Sequence, residues 1–162
     1  MRSRMFAGSI AALVFAGAMS AVMASPASAG GDDDSHNIAV GSVRLTGEQE
    51  VPAADPDGFG RFSYIAAGDQ LCYVLSAFKI DPPLAAHIHA GAAGVNGGIV
   101  VMLDVPDHVS AACITAEPDS SLNSIMVLTQ EELDAIIANE AGYYANVHTA
   151  PFPGGAIRGQ LR

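Results

Sequence analysis

The chain has 162 residues, and its 17 acidic and 7 basic side chains give a formal net charge of −10 at pH 7. This length fits one domain of ordinary size. A chain this acidic is a poor match for phosphate backbones and anionic lipid, so we expect no nucleic-acid partner and no membrane partner for the mature protein.

The first segment has the layout of a secretory signal peptide. Arg2 and Arg4 precede an apolar run over 5–23, and a small-x-small site, Ala-Ser-Ala, follows at 27–29. The alternative is a transmembrane anchor, which needs about 20 strongly apolar residues, whereas glycine and serine dilute this run. We predict a signal peptide over 1–29, cleaved after Ala29, and a secreted or periplasmic protein. Its removal leaves 5 basic and 17 acidic residues, and 5 − 17 = −12.

The mature chain is predicted to begin with a disordered acidic arm over 30–36, because GGDDDSH is polar and without periodicity. Nine segments with strand-like composition and turn signals between them follow. They cover residues 38–45, 59–65, 71–78, 84–90, 99–103, 113–116, 124–128, 143–149 and 156–161. Strands at this density with one short helix predict an all-β domain over 37–162, built as a Greek-key β-sandwich or barrel.

The one helix is predicted near residues 130–139. Thr129 and Glu132 are spaced as a capping box, in which each side chain accepts a hydrogen bond from the other residue's backbone N–H. An apolar stripe at helical spacing starts at Leu133. Gly142 is expected to end the helix.

Two cysteines, Cys72 and Cys113, lie in the mature chain. An exported protein meets an oxidising compartment, where an even pair usually forms a bridge. The loop closed by this disulfide has about 40 residues, which stabilises the fold by about 3–4 kcal/mol in the chain-entropy model. The alternative is a pair of buried free thiols.

Three histidines form the candidate site. His87 and His89 are two residues apart in a predicted strand, so both point to the same face. His148 lies on the less apolar face of the strand over 143–149. An H-x-H pair with a third histidine from another strand is a common way to hold copper or zinc. The alternative is that these histidines only hydrogen-bond carbonyls of nearby loops, and the spacing does not say whether the two strands are neighbours.

Other polar residues are interpreted more simply. Glu48 and Glu50 precede Val51-Pro52 in a loop, where carboxylates are usually solvated or cap a turn. Arg158 lies in the last predicted strand, and an ion pair with a carboxylate at the sheet edge is its simplest role. No catalytic residue is predicted, because no serine, cysteine or aspartate lies in a nucleophile motif.

Three stretches together resemble the CHRD (chordin) domain family. They are LTGEQEVPAADPDGFGRFSY at 45–64, AAHIHAGAAGVNGGIVVMLD at 85–104 and YYANVHTAPFPGGAIRGQLR at 143–162. The resemblance implies a secreted, single-domain bacterial member. In chordin itself such domains occur in an extracellular antagonist of growth factors, but that role depends on a multidomain context and is not transferred.

The order of the histidine motifs is also similar to copper/zinc superoxide dismutase. An H-x-H pair precedes a glycine-rich loop, and a V-H motif precedes a glycine-rich segment with a late arginine. This resemblance implies a superoxide-dismutase-like fold with His87, His89 and His148 as copper ligands and Arg158 as an anion-guiding arginine. The chain departs from that family because it lacks the bridging histidine and the zinc loop, so at most one copper ion is expected.

Three hypotheses follow for the function. The favoured one is a secreted binding or structural module that holds a single copper ion or uses its histidines for folding alone. The second is a mononuclear copper enzyme or copper carrier with superoxide-dismutase-like chemistry, which needs an open coordination position. The third is binding of an extracellular protein partner through an exposed sheet face.

Overall fold

The computed structural model describes residues 38–162, so the predicted signal peptide over 1–29 and the acidic arm over 30–36 lie outside the described residues. Eight strands and one α-helix form the domain, and three single-turn 3-10 helices connect some of them. The strands are β1 (Ile38–Thr46), β2 (Phe59–Ala67), β3 (Gln70–Phe78), β4 (Pro83–Ala90), β5 (Gly98–Leu103), β6 (Val109–Thr115), β7 (Tyr143–Thr149) and β8 (Ile157–Gln160), and the helix is α1 (Gln130–Ala138). The predicted all-β fold is confirmed.

The strands form one curled antiparallel sheet in the order β5-β4-β7-β8-β1-β2-β3-β6. The last strand, β8, therefore lies in the middle of the sheet, between β7 and the first strand. The first and last strands are therefore neighbours, and β1, β2 and β3 follow one another across the sheet. The strands on either side of β8 define two halves of the sheet, β5-β4-β7 and β1-β2-β3-β6.

Strict alternation of apolar residues builds the inner side of the second half. In β2, Phe62, Tyr64 and Ala66 are buried, whereas the residues between them are exposed or half-buried. This period of two is expected for a sheet with one face on the core. Leu71 and Leu75 of β3 continue the same core.

The helix closes part of this core. Its predicted capping box is present, since Thr129 accepts a hydrogen bond from the Glu132 backbone N–H and Glu132 accepts one from the Thr129 backbone N–H at 3.0 Å. Leu133 is fully buried. The helix ends at Ala138, four residues before the predicted end at Gly142, because the next residue leaves helical geometry and a 3-10 turn follows.

Two predicted strands differ from the structure. The segment 124–128 is not a strand, since it makes an isolated bridge between Ser124 and Val127 and turns between them. One backbone bond, from Met102 N–H to the Ile125 carbonyl, ties it to β5, and a single bond is too little for a ladder. The strand predicted over 113–116 starts earlier, at Val109, because it pairs with residues 70–76 of β3.

Cys72 and Cys113 form the predicted disulfide. They are directly opposite each other in the β3–β6 pairing, with Cα atoms 3.9 Å apart. Antiparallel pairing thus supplies the proximity that the bridge needs.

No helix within residues 38–162 is long and apolar enough to cross a bilayer.

Candidate metal centre

Two neighbouring strands bring the three histidines together on the outer side of the sheet, away from the core. β4 pairs with β7 so that His87 lies opposite Asn146 and Ala85 lies opposite His148. His87 and His148 are therefore diagonal neighbours, and long side chains at such positions can touch. The candidate ligand nitrogens of His87, His89 and His148 all lie within 4.8 Å of one another.

The cluster is compact enough for one metal ion. His87 Nδ1 lies 3.0 Å from His148 Nε2, and the ring centroids of His87 and His89 are 5.4 Å apart. Nitrogens bound to zinc or copper at about 2.0 Å are separated from each other by about 3–4 Å. Small rotations of the side chains would therefore bring all three nitrogens to one ion.

Backbone carbonyls set the protonation of two rings. His89 Nδ1 donates to the Gly97 carbonyl at 3.0 Å, and His148 Nδ1 donates to the Pro153 carbonyl at 3.0 Å. Because a carbonyl can only accept, both protons sit on Nδ1 and the Nε2 atoms carry lone pairs. His89 Nε2 is buried and has no hydrogen-bond partner. Orientation of a ring by a hydrogen bond from its other nitrogen is the usual support of a metal-binding histidine.

The glycine-rich loop between β4 and β5 approaches its own strand too closely for a side chain. A Cβ on Gly97 would overlap the Ala90 carbonyl, so only glycine fits there. This close approach brings the Gly97 carbonyl to His89, and the Gly97 backbone N–H donates to the Tyr144 hydroxyl at 3.2 Å. Glycine is therefore required at position 97, because a side chain would prevent the close approach that brings its carbonyl to His89.

The histidines are neutral at pH 7. Burial, together with the nearby His148 and His89, lowers the pKa of His87 from 6.5 to about 4. Burial also lowers the pKa values of His89 and His148, although their carbonyl partners raise them. Neutral imidazole is the form that binds a metal ion.

Arg158, the predicted anion-guiding residue, lies on the same side of the sheet but is only 1% exposed. Its guanidinium lies 3.3 Å from the centre of the Tyr144 ring, a cation–π contact, and the same ring stacks on His89 at 4.8 Å. Nη2 donates to the Ala92 carbonyl at 2.9 Å, whereas Nη1 is buried without a partner. Tyr144 thus connects the arginine to the histidine cluster.

Glu50 belongs to this site, although no local sequence pattern indicated a partner for it. It is 5% exposed rather than solvated, and Oε1 has no hydrogen-bond partner. Burial raises the pKa of Glu50 to about 7, while Arg158 and a hydrogen bond with Asn146 favour the ionised form. Asn146 Oδ1 in turn lies 3.0 Å from His148 Nε2. The proximity of Glu50 to Arg158 depends on the pairing of β1 with β8. No local sequence pattern indicates that pairing.

Two loops border the site with a partly open cavity of about 430 Å³. Glu50 and the residues up to Ala54 form one wall, and the segment 151–155 forms another. Pro153, which holds His148, lies in the second wall. A small ligand therefore has space beside the histidine cluster.

Comparison with known proteins identifies one family. The family model described as the CHRD domain matches residues 41–161, which include both histidine motifs, both cysteines and Arg158. No curated protein and no solved structure matches the chain.

Proposed function

Because the chain belongs to the CHRD domain family, we propose that it is a secreted binding module that holds one copper ion through His87, His89 and His148. One observation carries the proposal. Two of the three rings are oriented by backbone carbonyls, and their Nε2 lone pairs face the cluster, one of them buried without a partner. A buried lone pair without a partner supports a ligand role, because buried polar groups are normally paired.

The ligand set favours copper. Three neutral imidazoles suit copper, zinc, nickel or iron, and divalent copper binds most strongly in the Irving–Williams order. Within residues 38–162, this histidine group is the one found with the geometry to hold a metal ion. Hard cations such as calcium prefer oxygen ligands, which the cluster does not supply.

Metal content tests the proposal. The exported chain is purified after copper and zinc supplementation and analysed for elements, beside a His87→Ala/His89→Ala variant. We expect about one copper per chain in the wild type and none in the variant. His108→Asn is the matched control, because His108 lies outside the cluster and asparagine tolerates its left-handed backbone, with φ of 67°. Metal-free wild-type protein would overturn the proposal.

A folding defect must be distinguished from the loss of a ligand. Circular dichroism of each variant shows whether the sheet has formed, and His148→Gln provides a second, milder variant. A folded His148→Gln protein that binds copper as tightly as the wild type would also contradict the proposed ligand set. Weaker binding by a folded variant supports it.

The second candidate function is a copper enzyme or carrier with superoxide-dismutase-like chemistry. The position of Arg158 favours this function. Its guanidinium lies over the Tyr144 ring, the same ring stacks on His89, and Nη1 has no hydrogen-bond partner. Copper-loaded protein is assayed for superoxide turnover beside Arg158→Lys, which keeps the charge. Turnover that falls in the variant while copper content stays constant supports the enzyme, and absence of turnover leaves the binding module.

A further inference from the structure

The outer side of β1, β2, β3 and β6 is bare and apolar. Strand pairing places outward residues from the four strands in adjacent rows across the sheet. We define the bare face by the two central rows: Val40, Ile65, Cys72 and Cys113, and Ser42, Ser63, Val74 and Ala111. Val40 is 65% exposed and Ile65 is 53% exposed. A shallow groove of about 640 Å³ follows this face.

Two arginines flank the bare face at one end. Arg44 and Arg61 both point outward and are direct partners in the β1–β2 pairing. Like charges opposite each other on a sheet repel. Arg61 donates to the Ser42 hydroxyl at 3.0 Å, which places its charge beside the apolar rows. An acidic surface lying on this end would remove the repulsion.

Acidic residues flank the other end. Asp69 lies in the turn between β2 and β3, and Glu117 follows β6; both are exposed. The four strands themselves contain no aspartate or glutamate, although the chain has 17. The bare face is therefore apolar in the middle, positive at one end and negative at the other.

We propose that this face binds the same face of a second copy of the chain. A two-fold axis that lies in the plane of the interface, perpendicular to the strands, turns each strand end for end, so that the apolar rows of two copies meet. The same rotation brings Arg61 of one copy over Asp69 of the other, since Arg61 lies on β2 and Asp69 lies in the turn that follows β2. A self-complementary patch of this kind is what an isologous interface requires.

The dimer is weak and reversible. Four strands about 4.8 Å apart and six residues long at about 3.3 Å each span an area of roughly 300 Å². Stable interfaces bury about 800 Å² per partner. The dissociation constant is therefore expected in the range of about 10 µM to about 1 mM, where local concentration decides whether dimers form.

Sedimentation equilibrium of the full chain, as exported, tests the proposal. We expect the weight-average mass to rise from monomer toward dimer as concentration increases through that range. Val74→Glu places a charge in the middle of the bare face and should abolish the rise. Met126→Glu is the matched control, because Met126 is 69% exposed but lies outside the face. A wild-type protein that stays monomeric throughout overturns the proposal.

A charge exchange between two residues tests whether a second copy binds in the proposed two-fold orientation. Arg61→Glu and Asp69→Arg should each weaken the dimer by about 3-fold to 10-fold, and the double variant should recover it, since each residue meets the other across the axis. Surface positions such as these change the fold little. Failure of the double variant to recover overturns the two-fold arrangement. Binding of anionic vesicles by a wild type that does not dimerise would overturn it in favour of a lipid surface.

Discussion

The outer side of the sheet is open to solvent over β2 and β3 but covered by loops over β4, β7 and β8. In the open half each strand alternates between core and solvent, and the outward residues are small, apolar or singly charged. In the covered half, four consecutive residues of β7 are buried, and the outward ones include Tyr144 and Asn146. Polar groups buried beneath loops require partners, so the covered half carries the candidate site, whereas the open half carries the disulfide.

The largest expected effect is a loss of stability caused by a change in the open half, and it tests the difference between the two halves. Replacing Cys72 and Cys113 by serine should reduce the free energy of unfolding by about 4 kcal/mol, because the disulfide closes a loop of about 40 residues. The number of metal ions per chain should not change. Urea unfolding and elemental analysis measure the two quantities. Wild type treated with reductant is the control, and loss of metal from the folded variant would break the separation between the halves.

Removing the buried cation tests the covered half. Arg158→Met should destabilise the protein by about 3 kcal/mol, since Glu50 loses its nearby positive charge and Tyr144 its cation. Adding Glu50→Gln should restore part of this loss, because the unpaired carboxylate is then gone. Urea unfolding of both variants measures the free energy of unfolding. An equal loss in the single and double variants would show that the Glu50 carboxylate does not contribute to the loss.

A matched pair of glycine variants tests how the loop supports the site. Gly97→Ala should lower metal affinity about 10-fold to 100-fold, because the loop must move away from His89 and its hydrogen bond weakens. Gly98→Ala has open space around its Cβ and should change little. Competition with a chromophoric chelator measures the affinity. Equal affinities of the two variants would contradict the role assigned to Gly97.

The smallest expected effect is the pH dependence of the metal-free protein. His87 has a pKa of about 4 when folded and 6.5 as its ordinary value, so between these values the unfolded chain binds more protons and stability falls as pH falls. Glu50 has the opposite sign: its pKa is raised from 4.5 to about 7, so the folded chain binds more protons and stability falls as pH rises through that range.

These opposing slopes can be separated. Glu50→Gln should make stability increase more steeply with pH between 4.5 and 6.5, whereas His87→Asn should flatten it. Thermal unfolding at several pH values measures both, with His108→Asn as the control. An unchanged profile in both variants would show that neither buried group contributes.

Local patterns predicted most of the open half. Strand-like composition between turn signals located the long strands, although β6 begins four residues before its predicted start, and the capping box located the helix. The strand period of two placed His87 and His89 on one face, and the neighbouring β7 completes the cluster with His148. The segment 124–128 was wrong because composition describes a residue's preference, whereas a strand also needs a partner along its whole length.

Long-range contacts explain what could not be predicted from the sequence. Glu50 was interpreted as a solvated loop carboxylate, yet it is buried beside Arg158, more than 100 residues away along the chain. The Gly97 and Pro153 carbonyls that orient His89 and His148 come from loops, and no residue type is required to supply a carbonyl. Such partners depend on backbone position rather than side-chain identity.

The central place of β8 has a consequence for the order of events in biosynthesis. β8 is the last of the eight strands to leave the ribosome, yet it joins β7 to β1. Until residues 157–160 emerge, the two groups of strands have no ladder between them and the arginine beside the histidine cluster is absent. Assembly of the complete sheet must therefore wait for residues 157–160, so a nascent chain that lacks them cannot yet present the finished site.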